Sequence, residues 1–355
     1  MTTPYASPPP LQFQPILKEK IWGGRSLETV LDRTLPPDVR IGESWELSGY
    51  GSDRSVLVDG PAAGVDLPRL MTDYGPDLLG RSGTGEVFPL LYKFIDAHDK
   101  LSVQVHPNDR EAREYGWDKR GKTECWYVVH AEPGARIIVG FTPGVTKAAV
   151  AEAIREARLQ ELLNFVDIRA GDVLFMPAGT VHAILGGTVI YEVQETSDAT
   201  LRLYDWGRID TQGKSRPLHV EESLRVLDTT FHTEHKITPL TVRDTNALHR
   251  VMRAACRYFA LEEYRFRKSH SFTLPARASF QVITVVEGSA AIVTEHGRTR
   301  AGRGNTLLLP AALVDTRIEA TEGTAILVSW VPQLFTEVVE PLRRLEIDGD
   351  TIAAL

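Results

Sequence analysis

Leu101-Ser102-Val103-Gln104-Val105-His106-Pro107-Asn108-Asp109 is the stretch on which the fold turns. Alternation along a strand sends Gln104 and His106 to one face and Val103 and Val105 to the other, so an amide oxygen stands beside an imidazole. Two further donors follow. Glu124 lies in Lys122-Thr123-Glu124-Cys125-Trp126-Tyr127, and His182 closes Met176-Pro177-Ala178-Gly179-Thr180-Val181-His182. The four residues offer two nitrogens and two oxygens.

Upstream, residues 42–48 and 55–58 alternate with period two and read as strands, and residues 66–80 carry one short helix. Residues 88–97 form an apolar run broken by Lys93, a residue that a buried strand normally excludes. Downstream, residues 108–117 read as a helical turn. Residues 123–129 and 135–140 read as the two strands of a hairpin joined by His130-Ala131-Glu132-Pro133-Gly134. The period changes over residues 146–164, where Ala149, Val150, Ala153, Ile154, Ala157 and Leu162 predict a helical insertion. Strand and turn patterns resume over residues 168–193, and residues 220–227 suggest a short helix.

A second copy follows in the same order. Val285-Val286-Glu287-Gly288 echoes Val128-Val129 with Glu132-Pro133-Gly134, Ala301-Gly302-Arg303-Gly304-Asn305 echoes Arg169-Ala170-Gly171-Asp172-Val173, and Leu309-Pro310-Ala311 echoes Met176-Pro177-Ala178. The match sets Gln281 opposite Glu124 and Asp315 opposite His182, so the repeat keeps the turn residues and drops the donors. The expected organisation is an extended tail at 1–12 around Pro8-Pro9-Pro10, a catalytic unit at 13–235 and a metal-free unit at 236–355.

The chain has 355 residues, 43% of them hydrophobic, enough for a core of ordinary size. A net charge of -7 argues against nucleic acid as a partner, since no basic excess is present to neutralise phosphates, while a small anion needs only a local basic pocket. Cys125 and Cys256 form neither a CxxC pair nor a disulfide framework, which fits a reduced compartment. The N-terminus lacks a signal-peptide pattern and no apolar run reaches the roughly 20 residues of a membrane span. The expectation is a cytoplasmic protein without membrane contact, monomeric or a weak homodimer.

Gly-Asp before an apolar strand, then Pro-Ala-Gly and a histidine strand, recurring twice, resembles the cupin double-stranded β-helix. That resemblance implies a mainly β chain of two barrels whose inward positions alternate along each strand. Gln104, His106, Glu124 and His182 then share an inward parity. Their donors suit one zinc ion at a catalytic site with an open position, and manganese, iron or cobalt accept the same set. His98, His130, His219, His232, His235, His249, His270 and His296 lack such company and read as ordinary histidines. Lys93, Lys122, Glu192 and Arg202 interrupt apolar strands, so each is paired or faces a ligand. With the metal set nearby, they read as a cationic pocket for a phosphate.

More specifically, the chain resembles the type I mannose-6-phosphate isomerases. The resemblance rests on Lys20-Ile21-Trp22-Gly23-Gly24, Glu43-Ser44-Trp45-Glu46, Gln104-Val105-His106-Pro107, Lys122-Thr123-Glu124, Gly179 to His182, Ser197-Asp198 and Tyr204-Asp205-Trp206, in the family's order. It implies a zinc on Gln104, His106, Glu124 and His182, with Lys93, Lys122, Glu192 and Arg202 on active-site positions. The chain lacks the large all-helical domain of longer members. The implied reaction moves a proton between C2 and C1 of a sugar phosphate through a cis-enediol. Arg202 would stabilise the enediolate, Glu192 would be the base with Lys122 its rival, and Lys93, with Lys100 or Arg208, would hold the phosphate. The alternatives are a non-catalytic sugar-phosphate-binding cupin and an iron or manganese cupin dioxygenase. Gln104 in place of a histidine argues against the dioxygenase.

Overall fold

The computed structural model describes residues 8–82, 87–209, 213–232 and 235–355. In the first half two antiparallel sheets face each other. One runs Val173–Met176, Glu124–Ala131, Thr188–Glu195, Leu90–Ala97, Ile41–Leu47, Ile16–Gly24, and the other Leu163–Asp167, Arg136–Phe141, His182–Ile184, Val103–Val105, Leu201–Tyr204. The second half repeats this with a seven-stranded sheet from Leu11–Gln12 to Leu240–Asp244 and a four-stranded sheet from His270–Thr273 to Gly297–Gly302. The fold is mainly β, as the cupin resemblance implies.

Every residue of Leu90–Ala97 and Thr188–Glu195 is buried, because their sheet is covered on both sides. Ile95, Trp126, Val128 and Ile190 fill the first barrel. Tyr92, Phe94, Tyr127 and Tyr191 share a second core with Leu261, Phe280, Val282 and Leu327 of the other half. Two-sided burial erases the alternation that marks a half-exposed strand. Lys93 and Glu192 mark the inner face, while Asp96 and Glu195, also buried, lie on the other.

The structure corrects several expectations. Glu124–Ala131 and Arg136–Phe141 are not hairpin partners. The first pairs with Val173–Met176 and Thr188–Glu195, the second with Leu163–Asp167 and His182–Ile184, and Gly134 at a φ of 81° turns the chain from one sheet to the other. Crossing over lets Trp126 and Val128 meet Ile137 and Val139 in one core, which a flat hairpin would not. The insertion is shorter than 146–164: Lys147–Arg155 is helical, Leu159–Leu162 is a 3-10 turn, and Leu163 re-enters a sheet. Residues 55–58 contribute isolated bridges at Val56 and Leu57 rather than a strand. Residues 66–80 hold two helices, Leu67–Tyr74 and Pro76–Leu79, divided at Gly75 by the proline that follows it.

Of the expected tail, residues 1–7 lie outside the described residues, whereas Leu11–Gln12 pairs with Leu308 and Leu307 at the edge of the second barrel. That barrel is filled by Tyr264, Phe266, Ile283, Ile292 and Val328. Gln281 pairs with Leu309 and Trp330 in the register that Glu124 keeps with Met176 and Gln194. Asp315 is exposed. Among the described residues, no helix is long and apolar enough to cross a membrane.

Candidate active site

Sheet register assembles the site. In the five-stranded sheet, Gln104 is the cross-strand partner of His182 on one side and of Arg202 on the other. In the facing sheet, Lys93 pairs with Glu192, Glu192 with Trp126, and Gln194 with Glu124. His106 follows Val103–Val105 and is held extended by Pro107. Asn108 then starts the Asp109–Glu114 helix with a capping box: its side-chain oxygen accepts from the Arg110 and Glu111 amides at 3.0 Å each, and the Glu111 carboxylate accepts from the Asn108 amide at 2.9 Å.

His106, Glu124 and His182 bring ligand atoms within 4.8 Å of one another, all buried. Each imidazole is aimed by its far nitrogen. His106 Nδ1 donates to the Ala199 carbonyl at 2.8 Å and His182 Nδ1 to the Thr180 carbonyl at 2.9 Å, which leaves both Nε2 lone pairs turned toward Glu124. Glu124 Oε1 lies 3.2 Å from His182 Nε2, and Glu124 Oε2 lies 3.7 Å from His106 Nε2. Gln104 closes the set, with its amide 3.4 Å from His182 Nε2 and Ser102 Oγ donating to it at 3.3 Å. Turning that amide by half a revolution presents its oxygen instead. Neither Glu124 oxygen makes a well-directed hydrogen bond. A buried carboxylate short of partners beside two aimed, neutral imidazoles is a donor set that fits a divalent metal ion.

Burial, with the Lys122 charge beside it, holds His182 down to about 3, and the same causes hold His106 well below the usual imidazole range. Burial pushes Glu124 up to about 7 against the pull of Lys122, whose ammonium sits 2.7 Å away. For Glu192 burial is outweighed by the Lys122 and Lys93 charges, which hold it down to about 2. Its Oε2 accepts from Trp126 Nε1 at 2.9 Å, and its Oε1, 3.4 Å from Lys93 Nζ, has no hydrogen-bond partner. Lys122 also lies 3.2 Å from His106 Nε2. Burial would lower its pKa, yet Glu124 and Glu192 raise it further. Lys122, the rival base, is thereby held protonated, because its nearest charges are carboxylates.

These groups edge a cavity of about 300 Å³ lined by Gln104, His182, Lys93, Lys122, Glu192 and Arg202. Lys20, Trp22, Glu43, Asp198, Arg216 and His219 line it too, and alternation assigned none of them a role. His219, expected to be an ordinary histidine, accepts from the Arg202 amide at 3.2 Å. Lys100 and Arg208 do not line it. Lys100 Nζ lies 4.2 Å above the Trp206 ring, and Arg208 donates to the Lys100 carbonyl while its Nη1 is buried without a partner. Burial and the neighbouring Arg216 and Arg208 charges lower the Arg202 pKa, which marks a local excess of positive charge.

Residues 11–120 match the family described as phosphomannose isomerase type I, catalytic domain. The mannose-6-phosphate isomerase ManA of Bacillus subtilis is 35% identical over 314 residues, covering 87% of this chain and 96% of the relative. The chain belongs to the type I phosphomannose isomerases. The mannose-6-phosphate isomerase of Streptococcus mutans is 35% identical over 85% of this chain and 92% of its own length. The crystal structure of the Bacillus subtilis mannose 6-phosphate isomerase superposes with a TM-score of 0.82 at 29% identity, covering 90% of this chain and 99% of that one. Phosphomannose isomerase from Salmonella typhimurium, at 16% identity and a TM-score of 0.72, shares the fold. In this phosphomannose isomerase family member the donor cluster sits wholly in the first barrel, with no residue drawn from the second.

Proposed function

We propose that this chain interconverts mannose 6-phosphate and fructose 6-phosphate, with one divalent metal, zinc by the chemistry of its donors, held by Gln104, His106, Glu124 and His182. The observation that carries the reading is a buried His106, Glu124 and His182 cluster that reaches, through His182 and Gln104, a cavity also lined by Lys122, Glu192 and Arg202, in a chain related along most of its length to mannose-6-phosphate isomerases. Bound there, the metal would supply a Lewis acid for the substrate's C1 and C2 oxygens. Glu192 is the base: ionised and on the cavity lining, its Oε2 fixed by Trp126 and its Oε1 without a hydrogen-bond partner, it takes the proton from C2 and returns it to C1. Lys122 stays protonated beside Glu124 and donates to the sugar oxygens as charge develops on them.

The phosphate seat is reassigned. Lys93 is engaged by Glu192 and by the Trp45 ring at 4.9 Å. Arg202, Arg208 and Arg216 stand together against one carboxylate, Asp205, which is already taken up by Arg216, so the balance of charge beside Arg202 is positive. The 6-phosphate therefore belongs with Arg202, Arg216 and His219. We assign the reaction to the cytoplasm, since charged sugar phosphates do not cross bilayers unaided.

Incubating the metal-loaded protein with fructose 6-phosphate in deuterium oxide tests the reading. Mannose 6-phosphate is expected, with deuterium at C2 to the extent that the protonated Glu192 carboxyl exchanges with solvent before it returns its proton. Tight binding of the sugar phosphate without turnover would instead make the chain a binding module.

A further inference from the structure

Asp118 lies outside the donor set, in the loop between the Asp109–Glu114 helix and the Glu124–Ala131 strand, yet it collects more of the surrounding loops than any metal donor does. Its Oδ2 accepts from Tyr50 Oη at 3.0 Å, from Ser197 Oγ at 3.0 Å and from the Asp198 amide at 3.1 Å. Its Oδ1 accepts from the Lys119 amide at 2.6 Å. Ser197 Oγ is shared with the Arg120 carbonyl at 3.1 Å and accepts from the Ala199 amide at 3.2 Å. The next contact is the Ala199 carbonyl, which takes the His106 Nδ1 proton at 2.8 Å.

We propose that Asp118 is a positioning residue for the metal centre: it fixes the Ser197-Asp198-Ala199 turn so that the Ala199 carbonyl holds His106 in the tautomer and orientation a metal requires. This rests on the metal-dependent reading above. A carboxylate is suited to the task because its two oxygens accept several donors at once, and here those donors come from Tyr50, Lys119 and the Ser197-Asp198 turn, three separate stretches of chain. Tyr50 remains such a donor, its pKa pushed up to about 12 by burial and by Asp118. The same anchor ties the loop leading to Lys122 and Glu124 to the loop carrying Asp198 and leading to Arg202. The two sides of the cavity are thus held in register by one side chain. Partners that orient a ligating histidine through its second nitrogen commonly change metal affinity by roughly 10- to 100-fold when lost.

The test is equilibrium competition for zinc between the full-length protein and a chelating dye, run on wild type, Asp118→Ala, Asp118→Asn, Ser197→Ala and His182→Ala. Asp118→Ala is expected to bind zinc roughly 10- to 100-fold more weakly, with Asp118→Asn, which keeps an acceptor oxygen, recovering part of the loss. Should Asp118→Ala fail to fold, Ser197→Ala breaks the same chain of contacts one step nearer His106 and is expected to weaken zinc in the same direction. Wild-type affinity in the folded Asp118 and Ser197 variants, with zinc lost in His182→Ala, overturns this inference alone. Undiminished zinc in His182→Ala overturns the metal assignment and this inference with it.

Discussion

Two carboxylates a few residues apart in space behave oppositely because of what stands beside each. Glu124 is pushed up to about 7 by burial, while Glu192 is drawn down to about 2 by two lysines. One sits in the buried donor cluster and the other stays ionised on the cavity lining. Glu192→Gln removes the proposed proton acceptor and keeps the Trp126 contact within reach, so kcat is expected to fall by about 10²- to 10⁴-fold with little change in KM, read in a coupled isomerase assay. Arg202→Ala separates phosphate anchoring from stabilisation of the enediolate. A seat for phosphate predicts a KM rise larger than the kcat loss, and the reverse split would return Arg202 to the reacting oxygens. Histidine burial also sets a pH dependence. His182 has a folded pKa of about 3 against an ordinary 6.5, so between those values the unfolded chain binds the extra proton. Stability from this group is complete above about 6.5 and is lost as pH falls toward 3. For metal-stripped protein, urea midpoints measured from pH 6.5 to 4.5 are expected to fall less steeply in His182→Ala than in wild type.

At the scale of strands and turns, glycine sets the cavity wall. A Cβ on Gly42 would stand 2.6 Å from Lys20 Cβ and 2.7 Å from Trp22 Cζ3, so Ile41–Leu47 can approach Ile16–Gly24 this closely only without a side chain there. Gly42→Ala is expected to cost about 1–3 kcal/mol, as overpacking does, and to raise KM by displacing Lys20 and Trp22 from the cavity. An unchanged melting temperature and KM would mean the wall yields freely. The same two strands show what could be read from sequence. Gln104, Glu124 and His182 were legible because each is a polar residue at an inward position of an apolar strand, and His106 because it continues the alternation one residue past Val103–Val105. Lys20 and Glu43 lay inside stretches that carried the family resemblance, but periodicity assigned them no task, for both stand among other charged residues, Lys18 and Glu19 beside one and Glu46 beside the other. Arg216 and His219 come from a loop, where no period exists. The mistaken hairpin at residues 123–140 has the same origin, since alternation marks each strand and says nothing about which sheet receives it.

Over the whole molecule, the second barrel contributes no donor to the site, yet it covers the outer face of the sheet that carries Lys93, Glu124 and Glu192. Three tyrosines on that sheet reach across. Tyr92 Oη accepts from Ser329 Oγ at 2.9 Å, Tyr191 Oη from Thr284 Oγ1 at 2.9 Å, and Tyr127 Oη donates to Glu263 Oε1 at 3.0 Å. Glu263 is itself buried between Arg253 and Arg265, and Arg265 Nη2 returns to Tyr127 Oη at 2.8 Å. A further link, Tyr258 Oη to Asp109 Oδ2 at 3.0 Å, reaches the helix next to His106. Strands that alternate Lys93 and Glu192 inward with Tyr92 and Tyr191 outward cannot lose one barrel without wetting the wall of the other. Two consequences can be measured. Calorimetry of the intact chain is expected to show one cooperative transition, and two resolved transitions would mean the barrels fold independently. Glu263→Ala leaves two arginines and a tyrosine without their buried partner. Its cost is expected near the low end of the roughly 3–5 kcal/mol typical of breaking such a pair, because Arg265 retains solvent access and the Glu287 carboxylate at 3.1 Å. Since Tyr127 lies one residue from Trp126, which fixes Glu192, the same substitution should lower kcat at temperatures where the protein remains folded. Loss of stability with wild-type kcat would show that the second barrel supports the fold and leaves the chemistry untouched.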